Sequence, residues 1–249
     1  MFRNRLLILA FALLLALAAP LRSAQFVTDT NTSAPKVAPA SNEGEAAIKR
    51  FRVPKGFKVE LFAAEPLLAN PVAFTIDEKG RFYVAETFRL HSGVTDIRGH
   101  MDWLDEELAS TSVQERVEIM KRHEGKRIAD YEKEEDRVRM IWDSNGDGKA
   151  DKSTIFSGGY SGVAEGIGAG ILAHRGNIYY TDIPNLWLLR DTNNDGRADV
   201  KKSLATGFGI RVGFLGHDLH GLRFGPDGKL YFSIGDRGAH VTNKEGRLI

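Results

Sequence analysis

Apolar and aromatic residues alternate with polar ones in short runs through most of the chain after residue 70, and the period is two. That period belongs to half-buried strands and not to helices. The runs VAFTI (72–76), RFYVA (81–85), RMIWD (139–143) and STIF (153–156) form one set of four. GILAH (170–174), NIYYTD (177–182), LWLLRD (186–191) and KKSLATG (201–207) form a second, and LHGLRFGPDGKLYFSIGD opens a third. Between 98 and 137 the alternation stops and charged residues dominate. There the pattern predicts helix: Trp103, Leu104 and Leu108 make an apolar stripe, and Ser112 with Glu115 three positions on marks a helix start.

The sets repeat. Three segments place a glycine before an alternating strand, DEKGRFYVAET (77–87), HRGNIYYTDI (174–183) and PDGKLYFSIGD (226–236). A second pair, RMIWDSNGDGKADKSTIFSGG (139–159) and WLLRDTNNDGRADVKKSLATG (187–207), puts Asp143 and Asp191 48 positions apart. Four short strands per unit at a period of 40–50 residues is the signature of β-propeller blades. The chain therefore reads as all-β, a partial β-propeller over 49–249 with a helical insertion at 88–137 in its first blade. Its two and a half blades are too few to close a ring, so the sequence reads as the front part of a longer protein.

Composition changes this picture at the N-terminus. Arg3 and Arg5 precede a continuous apolar run from Leu6 to Ala19, and small residues follow at Ser23 and Ala24, the layout of a signal peptide over 1–24. The run is shorter than a membrane span and stops at Pro20. Residues 25–48 are polar, rich in Ser, Thr, Ala and Pro and without period, and read as a flexible linker. The expected location is the periplasm or cell envelope. With Arg3, Arg5 and Arg22 removed from the 34 basic residues, 31 face 33 acidic ones, a balance that speaks against a nucleic-acid partner. No cysteine is present, so stability must come from packing or ions, and no haem can be attached covalently within these residues.

Candidate chemistry falls in three places. The acidic turns carry Asp143, Asn145, Asp147 and Asp151, and Asp191, Asn193, Asp195 and Asp199. Oxygen ligands at alternate positions with glycine at the sixth suit calcium, but the twelfth position is Thr154 or Lys202, so the bidentate glutamate is missing. Asx-stabilised hairpin turns explain the same residues. His217 and His220 stand at the entry of the third set's first strand, where a propeller's channel would lie, and histidine is the side chain most easily used as a base near neutrality. Taken singly and without a partner, each reads better as a histidine packed or hydrogen-bonded against a neighbouring blade. Glu86 ends a strand at the same rim, where a capping or turn role explains it equally well, and Asp236 with Arg237 is either a site pair or an ordinary salt bridge between glycines. His91, His100 and His123 share no metal spacing, and Tyr179, Tyr180 and Trp187 read as core.

The spacing from His217 to Gly-Pro-Asp-Gly-Lys-Leu-Tyr-Phe-Ser-Ile-Gly-Asp resembles the soluble quinoprotein glucose and sorbosone dehydrogenases, six-bladed propellers that use pyrroloquinoline quinone. The resemblance implies that His217 is a general base taking a hydroxyl proton while hydride passes to the quinone; Gly216 stands where that family has an acid. A longer resemblance over residues 50–249, carried by VPKGFKVELFAAEPLLANPVAFTIDEKGRFYVAET, IRGHMDWLDEELA, PNLWLLRDTNNDGRAD and GHDLHGLRFGPDGKLYFSIGDRG, is to large secreted planctomycete and verrucomicrobial proteins described as membrane-bound dehydrogenases. It implies a downstream c-type haem domain as electron acceptor and a sugar or similar alcohol as substrate. Calcium in the acidic turns, with the propeller binding carbohydrate or a protein partner without catalysis, is the competing expectation.

Overall fold

The computed structural model describes residues 35–249 except Lys244, so the predicted signal peptide and the start of the linker lie outside the described residues. Residues Glu43–Ile48, inside the stretch read as linker, form a short helix, α1. The rest is mostly β. Strands β1 (Pro71–Ile76), β2 (Phe82–Glu86), β3 (Asp136–Trp142) and β4 (Lys152–Tyr160) make an antiparallel meander in sequence order. Strands β5 (Gly170–His174), β6 (Asn177–Asp182), β7 (Asn185–Arg190) and β8 (Val200–Thr206) make a second, and β9 (His220–Phe224) pairs with β10 (Leu230–Ser233). None of the three sheets closes on itself.

The sheets stack through their alternating residues. Tyr83, Ala85, Val138, Met140 and Phe156 of the first meet Ile171, Ile178, Tyr180 and Leu189 of the second, all buried. Leu172, Tyr179, Leu186 and Ile183 on the opposite face of the second meet Leu219, Leu222 and Leu230. Period two makes this possible, because each strand offers one row of side chains to each neighbouring sheet. First strands lie side by side at the contacts, β1 against β5 and β5 against β9.

Between β2 and β3 the chain leaves the sheets for helices α2 (Leu104–Ala109) and α3 (Val113–Glu124), flanked by short 3-10 turns. Ser112 caps α3, its hydroxyl accepting from the Glu115 amide at 3.1 Å. Glu115 reaches past the cap to the Thr111 amide at 2.6 Å, a variant of the reciprocal box the sequence suggested. Of the predicted stripe, Trp103 is buried and Leu104 packs beside it, but Leu108 is 55% exposed, since α2 is too short to lay a second turn against the insertion core. His100 and His123 sandwich the Trp103 ring, with centroids 3.9 and 4.8 Å away.

Candidate functional site

Antiparallel register sorts the candidate residues to the two ends of the sheets. Pairing of Glu86 with Arg137 and of Asp136 with Tyr160, and of Asp182 with Asn185, sets one end. Pairing of Trp142 with Lys152 and of Arg190 with Val200 sets the other. The helical insertion, which starts after β2 and returns at β3, therefore stands at the first end, and both acidic turns lie at the second. His217 also belongs to the first end: Leu219, two residues on, accepts a hydrogen bond from Thr181 beside Asp182.

The acidic turns are closed upon themselves. Asp143 accepts from the amides of Asn145, Gly146 and Gly148, and Asp151 accepts from the Ser144 amide and hydroxyl. Asp191 and Asp199 repeat this with Asn194, Gly196 and Thr192, while Asn145 and Asn193 bond Asp147 and Asp195. Backbone amides, Gly148 first, hold the Asp143 carboxyl below the usual range, and the Ser144 and Thr192 hydroxyls do the same for Asp151 and Asp199. Among the described residues no group of three or more His, Cys, Asp or Glu stands together to hold a metal ion. Turn chemistry accounts for the pattern, so calcium at millimolar concentration is expected to leave the melting temperature unmoved. A calcium-dependent rise of several degrees in a thermal melt would mean that a site exists.

At the other end His217 and Asp236 meet, the imidazole Nδ1 lying 2.9 Å from the Asp236 Oδ1. Their side chains are 50% and 41% exposed, so the pair lies at the surface. Close approach of two backbones makes the pair: Gly235 donates to the His217 carbonyl at 3.2 Å, and a Cβ on Gly235 would fall 2.8 Å from the His217 Cβ. The next residue on each side points the opposite way. Asp218 and Arg237 are both buried, with the Arg237 Nε 3.4 Å from the Asp218 Oδ1. Asp236 and Arg237 are thus not partners of each other. One serves the exposed histidine and the other a buried aspartate.

Beneath this double pair lies a buried ionic layer that the sequence reading missed. Asp136 accepts from Thr87, the amides of Phe88 and Arg89, and the Gly168 amide. Arg89, fully buried, donates to the carbonyls of Gly93, Gly162 and Tyr131 and stands 3.7 Å from Glu165. Arg116 reaches in from α3 to the Ala164 carbonyl. Burial pushes the Asp218 carboxyl up against the pull of Arg237, and pushes Asp182 well up with Glu165 and Asp136 adding to the effect. Burial and then Arg237 bring the Arg116 guanidinium down to about 9.

Two further candidates change character. Glu86 is fully buried and faces no pocket: it accepts from Arg137 Nε at 2.6 Å, Arg139 Nε at 2.7 Å and the Ala69 amide at 2.7 Å. His220 is exposed at the start of β9, opposite Ser233. A partial signal for the buried layer was present, since the second strands of the first two repeats run into buried acids, Glu86 after YVA and Asp182 after YYT, whereas the third is followed by the exposed Asp236.

A family model described as a domain of unknown function (DUF7133) matches residues 43–248. No curated protein and no solved structure matches the chain.

Proposed function

The chain belongs to the DUF7133 family, whose description assigns no activity, and we propose from the His217–Asp236 pair that it contributes the proton-abstracting end of an exported oxidoreductase acting on a sugar or similar alcohol. The observation that carries the reading is the 2.9 Å contact between Nδ1 and a carboxylate on an open surface. A carboxylate there favours the Nδ1–H tautomer, which leaves the Nε2 lone pair to accept a proton. That lone pair can take the proton of a hydroxyl whose carbon loses hydride to an acceptor, leaving a carbonyl.

Two consecutive four-stranded meanders, stacked through their faces with first strands adjacent, support reading the sheets as blades of a propeller that further blades would close. Pyrroloquinoline quinone as hydride acceptor and a haem domain downstream rest on the sequence resemblance. Arg237 is not part of a cradle for such a polycarboxylate, being 2% exposed and facing Asp218, so the described residues contribute the base to this reading. Calcium has no further support here beyond the turns already described.

Dye reduction by the full-length protein, supplied with pyrroloquinoline quinone and a panel of aldoses and alcohols, tests the proposal. Turnover that depends on added quinone supports it, and His217→Ala is then expected to lower kcat by roughly 10²–10⁴-fold with folding intact. Absence of turnover with every substrate, or full turnover in the variant, overturns it.

A further inference from the structure

The helical insertion and the loop that carries His217 are joined by a set of contacts that neither the fold nor the proposed chemistry requires. Gly213 is held on both sides: its amide donates to the Glu107 Oε1 at 2.8 Å, and its carbonyl accepts from the Ile97 amide at 3.1 Å. Two residues on, the Leu215 amide donates to the Asp96 Oδ2 at 2.9 Å. The Ser110 hydroxyl donates to the Ile210 carbonyl at 2.8 Å, and Val212 is buried within the insertion's own core beside Trp103 and Met120. Between Asp96 and the histidine stands Phe214, its ring 4.9 Å from the Arg98 guanidinium on one side and 5.4 Å from the His217 ring on the other.

These carboxylates are committed. Asp96 is fixed by Arg98, which donates from Nε and Nη2 at 2.8 and 2.6 Å, and that guanidinium with the Leu215 amide holds the carboxyl far below its usual range. Glu107 is buried at 4% exposure and keeps its bond to Gly213 although burial raises its carboxyl. Gly213 adopts φ +60°, and a Cβ there would fall 2.8 Å from the Arg237 side chain, so the loop is threaded between the insertion above and the buried Arg237 below. A loop pinned at 213 and 215 has little freedom left at 217.

The geometry points to the insertion as the positioning element of the His217 site, with Asp96 and Glu107 as positioning residues that hold the 213–217 loop and so set the His217 ring against Asp236. It rests on the reading of His217 as a base only for its importance and not for its truth, because the histidine's geometry can be read without turnover. Neither carboxylate touches a reacting atom. Each acts through the backbone amide that it accepts from.

The test reads the tautomer of His217 by nitrogen-15 NMR of the histidine-labelled protein at a pH where the ring is neutral, the signal assigned by its loss in His217→Ala. In the wild type the Nδ1–H form is expected, since Asp236 accepts at that nitrogen. Asp96→Ala and Glu107→Ala, checked for intact folding by circular dichroism, are expected to lose that preference and revert to the Nε2–H form of an unheld imidazole. Glu107→Gln is expected to retain it, because the amide oxygen can still accept from Gly213. Glu106→Gln, which disturbs Arg122 and His123 within the insertion and nothing in the loop, is expected to retain it as well. An unchanged tautomer in folded Asp96→Ala and Glu107→Ala overturns the inference, as does equal loss in Glu106→Gln. Failure of the dehydrogenase assay leaves this result standing, and the two ideas therefore fail separately.

Discussion

Glu86→Ala is expected to lower the stability of the protein by about 3–5 kcal/mol, seen as a fall in the denaturant midpoint with the slope unchanged. Glu86 has no exposed surface, and its two oxygens take the Nε of Arg137, the Nε of Arg139 and the Ala69 amide. Deleting the carboxylate leaves two arginines on β3 buried with no opposite charge beside those nitrogens, at 4% and 9% exposure. Removing one partner of a buried pair is costly because the surviving charges have lost both water and their counter-charge. Glu86→Gln should recover little, since the amide nitrogen presents a donor where an arginine already donates. A loss under about 1 kcal/mol would mean that the arginines swing to solvent and that Glu86 is not the clasp of the first sheet.

Gly207→Ala ranks second, at about 3 kcal/mol. Gly207 follows β8 with φ +109°, a conformation that carries strain for any side chain. A Cβ there would stand 2.0 Å from the His240 carbonyl oxygen, which is backbone and cannot rotate away. The same residue ties the second sheet to the end of the described chain: its amide donates to the Pro184 carbonyl and its carbonyl accepts from the His240 amide at 2.7 Å. Thermal melts of the variant would show the drop. A melting temperature within a degree of the wild type would mean that the 238–241 segment moves aside at no cost.

Alternation made the strands legible. VAFTI, RFYVA, GILAH and NIYYTD became β1, β2, β5 and β6 within a residue at each end, because each strand turns one row of side chains into the core between stacked sheets. The pairing of β2 with β3 across the insertion was legible only through the repeated acidic turn, which marks the hairpin that follows. The turns themselves were ambiguous for a physical reason: the Asx geometry that closes a hairpin and the geometry that cages a cation use the same residues. Which candidates would meet was not legible. His217 and Asp236 lie 19 positions apart, and their contact is permitted by the close passage of two backbones at Gly235, whose amide donates to the His217 carbonyl at 3.2 Å, and not by any motif. Asp136, Asp182, Asp218, Arg89 and Arg116 went unnoticed because a charged residue in a polar run looks solvated until tertiary packing closes over it. Of these only Asp182 shares a visible trait with Glu86, an acid at the end of a repeat's second strand, and that trait does not by itself predict burial, since Asp236 follows the third repeat's second strand and is exposed.

The unequal spacing of the two meanders has a consequence for the route by which the chain reaches its structure. Strands β6 and β7 are joined by Ile183 and Pro184 alone, whereas β2 and β3 are separated by residues 87–135. Bringing the ends of the longer connection together costs about 3 kcal/mol more in chain entropy, and nothing repays it until the ladder from Phe82 to Glu86 forms. Near-neighbour pairings run ahead of distant ones. The second meander is therefore expected to zip first and to offer its Ile171, Ile178 and Tyr180 face as a template. The first completes only once the insertion has collapsed around Trp103 and shortened the effective loop. Because Val212 belongs to the insertion's core, the loop that carries His217 is expected to be set in place together with that collapse and not before it.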